Sequence, residues 1–175
     1  RERVLGMGGC LDSARFRTFI AEELNVSYKD VTGVVVGNHG DAMVPLVRTA
    51  SVGSVPLIDL LPADKIAAIV QRTKSAGAEI GGHLKTGSAY YAPSRGAVEM
   101  AEAILKDQKR VLPVAVELKG EFGVNDGMMV GVMCVIGGNG LEKIIDYKFN
   151  ADEKAEFEKS VNAVRALCEG LKTVQ

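Results

Sequence analysis

Residues 34–45 read "VVVGNHGDAMVP", and they hold His39, one of only two histidines in the chain. An imidazole titrates near pH 6.5, so a modest shift lets it give or take a proton at neutral pH. Gly37 and Gly40 would permit close approach of a ligand or unusual backbone angles. Loops at strand ends often carry reacting groups. Upstream, "LDSARFR" places Asp12 and Arg15 three residues apart, on neighbouring turns of a helix. A carboxylate held against the imidazole would favour its charged form and fix which nitrogen carries the proton. A free guanidinium would clamp a substrate carboxylate with two prongs. Together the three would perform proton transfer on a small carboxylic acid. A plainer account fits the same residues: a turn histidine satisfied by backbone groups, and an exposed local ion pair of the common, weak kind.

The elements that would position these groups follow from periodicity. "LDSARFRTFIAEELN", residues 11–25, reads as a helix with Phe16, Phe19, Ile20 and Leu24 on one face. Asp12 falls within that apolar arc and Arg15 at its edge, whereas charges normally sit opposite. "VTGVVVG" reads as a buried strand, and "MVPLVRTASV" as an extended piece that Pro45 restricts to an edge or irregular position. Pro62 suits the first turn of a helix carrying Ile66, Ile69, Val70 and Thr73. A glycine-rich stretch then leads into a helix over residues 94–107. Next come strands in "RVLPVAVELKG", "GMMVGVMCVIGG" and "LEKIIDYKF", the first two forming an antiparallel hairpin around "GVNDG". Asn150 and Glu153 form a capping box that opens a last helix to about Leu171. Its stripe of Phe157, Val161, Val164, Cys168 and Leu171 must pack on something. The order predicts an α+β fold, a mostly antiparallel twisted sheet packed with helices.

With 175 residues, 47% apolar and 25% charged, the chain has the balance of a globular protein and the length of one ordinary domain or two small ones. Its 21 basic and 22 acidic residues nearly balance, which gives no hint of nucleic acid or a membrane surface. No apolar run approaches the roughly 20 residues needed to span a bilayer. Cys10, Cys134 and Cys168 are odd in number and far apart. They read as reduced core residues of a cytoplasmic protein, not as a disulfide framework or metal site. A metal held by Cys10, Asp12, His39 and Asp41 would lack any close pair of ligands at the usual spacing. Asp41 is assigned to organising the turn, and His83 to structure. The opening "RERVLGMGG" resembles the end of a strand, with Val4 and Leu5 running into a glycine turn. This start is expected of a part of a longer protein, or of a chain trimmed at its beginning.

"LDSARFR" followed two dozen residues later by "GNHGDAMVP" resembles the lactate/malate dehydrogenase family, and the likeness extends through "LKTGSAYYAPSRG" to the terminal helix. "GMGG", the Asn before His39 and "AYYAP" are nearer its malate branch. The resemblance implies that His39 takes the proton of a 2-hydroxyl as hydride leaves the same carbon for NAD. It implies that Asp12 stabilises the charged imidazole and that Arg15 holds the 1-carboxylate of a small dicarboxylate. Met7 would line the nicotinamide pocket, and Ser88 and Ala89 the substrate pocket. Residues 1–175 would then be the substrate-binding and catalytic domain. The NAD-binding Rossmann domain expected N-terminal to it has no fingerprint in this sequence, nor is the family's mobile specificity loop present. The isolated domain is expected to be inactive, because the reacting carbons must be held in near-contact. A homo-oligomer, dimer or tetramer, is expected. The alternatives are a dehydrogenase of another 2-hydroxy acid such as lactate, or a non-catalytic domain that self-associates through its helices.

An ammonium cannot reproduce the guanidinium fork. Arg15→Lys is therefore expected to raise KM in the complete enzyme while leaving the unfolding transition nearly unchanged; an unaltered KM would remove Arg15 from the site.

Overall fold

The computed structural model describes residues 3–172. The chain opens with helix α1 (Gly8–Leu24) and the short strands β1 (Val31–Thr32), β2 (Val35–Gly37), β3 (Met43–Pro45), β4 (Ser51–Val52) and β5 (Val55–Pro56). The helices α2 (Leu57–Leu60), α3 (Ala63–Leu84) and α4 (Tyr91–Leu105) follow. Strands β6 (Arg110–Glu117), β7 (Met129–Gly137) and β8 (Gly140–Ile144) then lead to α5 (Ala151–Lys172). The expected α+β class and antiparallel pairing are what the structure shows.

The main sheet has five strands, in the order β3-β2-β7-β6 with β8 also on β7. All its pairings are antiparallel. Strand β7 pairs with β6 from Met129 to Ile136. It also receives β2 at Gly131 and β8 beyond Cys134. Gly131 permits the β2 contact, since a Cβ there would lie 2.6 Å from the Gly37 carbonyl oxygen. Pro45 sits, as expected, on an edge strand. At the start of the chain the expected strand end reduces to one bridge, in which Gly6 exchanges both backbone bonds with Ala115 of β6.

"VTGVVVG" is not one strand. It divides into β1, in a separate three-stranded sheet with β4 and β5, and β2 in the main sheet. Gly33 lies at the break, where a Cβ would stand 3.0 Å from the Phe16 ring of α1. The chain therefore bends over an aromatic side chain. Helix α3 runs seven residues past Gly77, through Gly81 and Gly82 to Leu84, although each interior glycine costs about 1 kcal/mol relative to alanine. Helix α4 starts at Tyr91, with Pro93 in its first turn, where the missing N–H is harmless.

The valine run of β2 feeds two cores. Val35 and Met43 pack with Phe16, Ile20, Leu57, Ile66 and Ile69 from α1, α2 and α3. Val36 and Val44 pack with Val130, Val132, Phe157 and Val161 from β7 and α5. The β2–β3 hairpin is thus covered on both faces, which is why its strand is apolar throughout and not alternating. The stripe of α5 is only half covered. Phe157 and Val161 are buried, but Leu167 and Leu171 are 65% and 70% exposed. The helix of 22 residues is roughly 33 Å long, and it outruns the three-residue strands on which its first turns rest.

The capping box forms as the spacing requires. Asn150 Oδ1 accepts from the Glu153 amide at 2.8 Å, and Glu153 Oε2 accepts from the Asn150 amide at 2.9 Å. Glu153 also receives Arg48 Nε and Nη2 at 3.1 and 3.0 Å. Burial pushes its pKa up, but the Arg48 bonds and the Asn150 amide outweigh it, and the carboxyl is held below its ordinary range. Its stabilising contribution is present above the ordinary pKa of about 4.3 and is lost as pH falls through the lowered value. Asn150→Ala should reduce the unfolding free energy by about 1 kcal/mol, read from urea denaturation at neutral pH.

Candidate active site

Helix α1 packs against α3, α4, β2 and β6. Much of its first half is therefore enclosed, polar residues included. Asp12 and Arg15 are 1% and 8% exposed. The exposed-pair account is excluded by this burial. Two glycines make the enclosure possible. A Cβ at Gly9 would stand 2.5 Å from the Pro113 carbonyl oxygen of β6, and one at Gly8 would stand 2.8 Å from His39 Cβ. Ser13, next to Asp12, accepts the Val35 amide on its Oγ at 2.8 Å and fastens α1 to β2.

His39 lies at the tip of the β2–β3 hairpin, against the first turn of α1. Gly8 and Asp12 are four residues apart on one face of that helix. The root of the side chain rests on Gly8, and Nδ1–H donates to Asp12 Oδ2 at 2.8 Å. A carboxylate only accepts, so Nδ1 carries the hydrogen and Nε2 is left free. The ring side chain is 53% exposed. Its pKa is raised above 6.5, first by the Asp12 hydrogen bond and then by the Asp12 charge, against the opposing effects of partial burial and the Arg15 charge.

Arg15 completes the group. Nη1 stands 3.8 Å from Asp12 Oδ1, within ion-pair range but beyond a hydrogen bond. Neither Asp12 Oδ1 nor Arg15 Nε has a hydrogen-bond partner. Gly77 of α3 faces the guanidinium, since a Cβ there would lie 3.9 Å from Nη1. A longer side chain would enter that space. A buried guanidinium with an unpaired N–H is costly unless an anion meets it.

Met7 immediately precedes α1 and is half-buried against the core, its sulfur 3.6 Å from where a Gly96 Cβ would stand. Ser88 is exposed and Ala89 half-buried in the segment before α4. Asp41 is exposed in the turn after His39, and His83 is exposed near the end of α3. Among the described residues no three His, Cys, Asp or Glu side chains gather as metal ligands, and no helix is long and apolar enough to cross a membrane. Burial pushes the Cys10 and Cys134 thiols up to about 12, so neither supplies a thiolate at neutral pH.

A sequence model of the lactate/malate dehydrogenase α/β C-terminal domain matches residues 10–173. The chain belongs to the lactate/malate dehydrogenase family. A malate dehydrogenase of Cereibacter sphaeroides is 57% identical over 99% of this chain and 55% of its own length. Among solved structures, malate dehydrogenase from Salinibacter ruber superposes with a TM-score of 0.95 at 47% identity, covering 99% of this chain and 56% of that one. Lactate dehydrogenase from Eimeria maxima, solved with NADH and oxamate, gives 0.94 at 40% identity, covering 99% and 55%. The chain spans about half the length of the curated relatives it matches.

Two positions in the surroundings of the lactate/malate dehydrogenase motif escaped the sequence. Gly8 reads only as part of "GMGG". Ser160 of α5 is wholly buried, and its Oγ accepts the Asn38 amide at 2.6 Å. Its one signal is the anomaly that marked Asp12, a polar residue beside an apolar helix stripe.

A His39 pKa raised in the folded state stabilises the fold fully below the ordinary value near 6.5 and loses that contribution as pH rises through the raised value. Asp12→Asn is expected to bring the NMR titration midpoint of the His39 ring down to or below the ordinary value and to flatten this pH dependence of stability.

Proposed function

We propose that this chain is the catalytic half of an NAD-dependent malate dehydrogenase, which moves hydride between (S)-malate and NAD to give oxaloacetate and NADH. The observation that carries the proposal is the meeting of a carboxylate-backed imidazole, its Nε2 free, with a buried guanidinium whose Nε is unpaired. Identity to malate dehydrogenases along nearly the whole chain supports the same substrate class.

In the oxidative direction neutral His39 accepts the 2-hydroxyl proton at Nε2. Asp12 stabilises the imidazolium that forms and keeps the proton on Nδ1 in the resting state. Arg15 receives the 1-carboxylate on its guanidinium and so fixes the hydroxyl toward the imidazole. NAD, when bound, would supply the hydride acceptor for the carbon that carries that hydroxyl. This chain offers it one edge of a site, the half-buried Met7 beside Gly8. The bulk of NAD binding is assigned to an N-terminal domain, with residues 1–175 as the substrate-binding and catalytic domain. Ser88 and Ala89 are assigned to the substrate pocket.

A cytoplasmic homo-oligomer, dimer or tetramer, belongs to the same proposal. The free, buried Cys10 and Cys134 support a reducing compartment. The outward stripe of α4, with Tyr91, Val98 and Leu105 at 80%, 48% and 85% exposure, supports association. Turnover of lactate or another 2-hydroxy acid is the competing function, supported by the Eimeria maxima lactate dehydrogenase structure.

In a complete enzyme carrying this chain, His39→Asn is expected to lower kcat for malate by about 10²–10⁴-fold with folding intact. Malate oxidation should fall as pH drops through the raised His39 pKa, and oxaloacetate reduction should fall as pH rises through it. Comparable turnover by His39→Asn would end the proposal, and preference for lactate over malate would transfer it to the competing substrate.

A further inference from the structure

The hairpin tip that carries His39 is held from two sides. On one side α1 offers the bare backbone of Gly8 and the Asp12 carboxylate. On the other side α5 offers a hydroxyl. Ser160 is 0% exposed, and its Oγ accepts the Asn38 N–H at 2.6 Å. The same oxygen occupies the space that Gly37 leaves open, for a Cβ at Gly37 would stand 2.4 Å from it. Gly37 has φ +85, a left-handed angle that favours glycine. The strand therefore ends against Ser160, and the next peptide N–H is spent on it. The residue after that peptide is His39, whose own side chain is half exposed and has little packing to hold it.

We infer that Ser160 is a positioning residue for His39, its hydroxyl fixing the Asn38 peptide so that the imidazole Nδ1 meets Asp12 Oδ2. The inference rests on His39 as the proton-transferring group. Ser160 touches neither the ring nor any substrate; it acts through one buried backbone bond. Removing the oxygen leaves the Asn38 N–H without its acceptor and frees the tip to rotate. The loss then falls on geometry at the reacting atoms, where a misplacement of about 1 Å costs up to 10²-fold in rate. Arg15 stands on α1, outside this contact, so substrate binding is spared.

The test compares Ser160→Ala, Ser160→Thr and Asp12→Asn in the full-length enzyme that carries this chain. Each variant is followed by kcat, KM for malate, the pH profile of kcat and the NMR titration of the His39 ring. Ser160→Ala is expected to lower kcat roughly 10- to 100-fold with KM within about twofold, and to move the His39 midpoint toward that of Asp12→Asn. Ser160→Thr, which keeps the acceptor, is expected to restore the midpoint. An unmoved His39 titration and pH profile in a folded Ser160→Ala protein would overturn the inference, even with lowered thermal stability, since that is a purely structural role. A titration unmoved by Asp12→Asn would instead overturn the underlying imidazole–carboxylate assignment.

Discussion

Two opposite charges are enclosed on one face of α1, and most of the site's architecture answers to that fact. Removing a carboxylate or guanidinium from water costs several kcal/mol even after relaxation. At about 4 Å and an effective dielectric of about 20, two unit charges attract by only about 4 kcal/mol. Asp12 and Arg15, 3.8 Å apart with an unpaired polar atom on each, are therefore poorly explained as a stabilising device. The Asp12 oxygen that is satisfied is the one that meets His39. The guanidinium beside it is the group proposed to receive a substrate carboxylate.

That arrangement requires α1 to be approached closely from several directions. Gly8 admits the histidine, Gly9 admits β6, and Gly33 admits the Phe16 ring. Larger side chains at the first two would hold the layers apart, and the imidazole would no longer reach the carboxylate. The β2–β3 hairpin supplies the opposing rigidity. Its strands are gripped between the core of α1 and α3 and the core of β7 and α5, which fixes the base from which the tip projects.

Much of this was legible in the residues. Asp12 and Arg15 violate the amphipathic pattern of their helix, and a violated pattern signals burial with a purpose. The Asn150–Glu153 box and the edge position of Pro45 follow from local rules that need no tertiary knowledge. The breakdowns have tertiary causes. The Val31–Gly37 run divides because Phe16, distant in sequence, lies under Gly33. Helix α3 is the exception: it runs through three glycines into a segment with no buried residue, and its packing there does not explain the extension. The stripe of α5 is as regular in its exposed half as in its buried half, so periodicity shows that a face exists and not how much of it is covered. The role of Ser160 was not legible because its partner is a backbone amide 122 residues away.

The separations along the chain carry an implication for biosynthesis. The Asp12–His39 bond closes a span of 27 residues, but Ser160 reaches Asn38 over 122, and Gly6 pairs with β6 over a comparable distance. Contacts of such high order are slow to form, and a nascent chain cannot make the first until α5, or the second until β6, has left the ribosome. The acid–base pair can thus assemble early, yet its support arrives only with the final helix. Until then the histidine-bearing hairpin exposes apolar side chains on one flank, a vulnerable interval for aggregation and a natural target for chaperones.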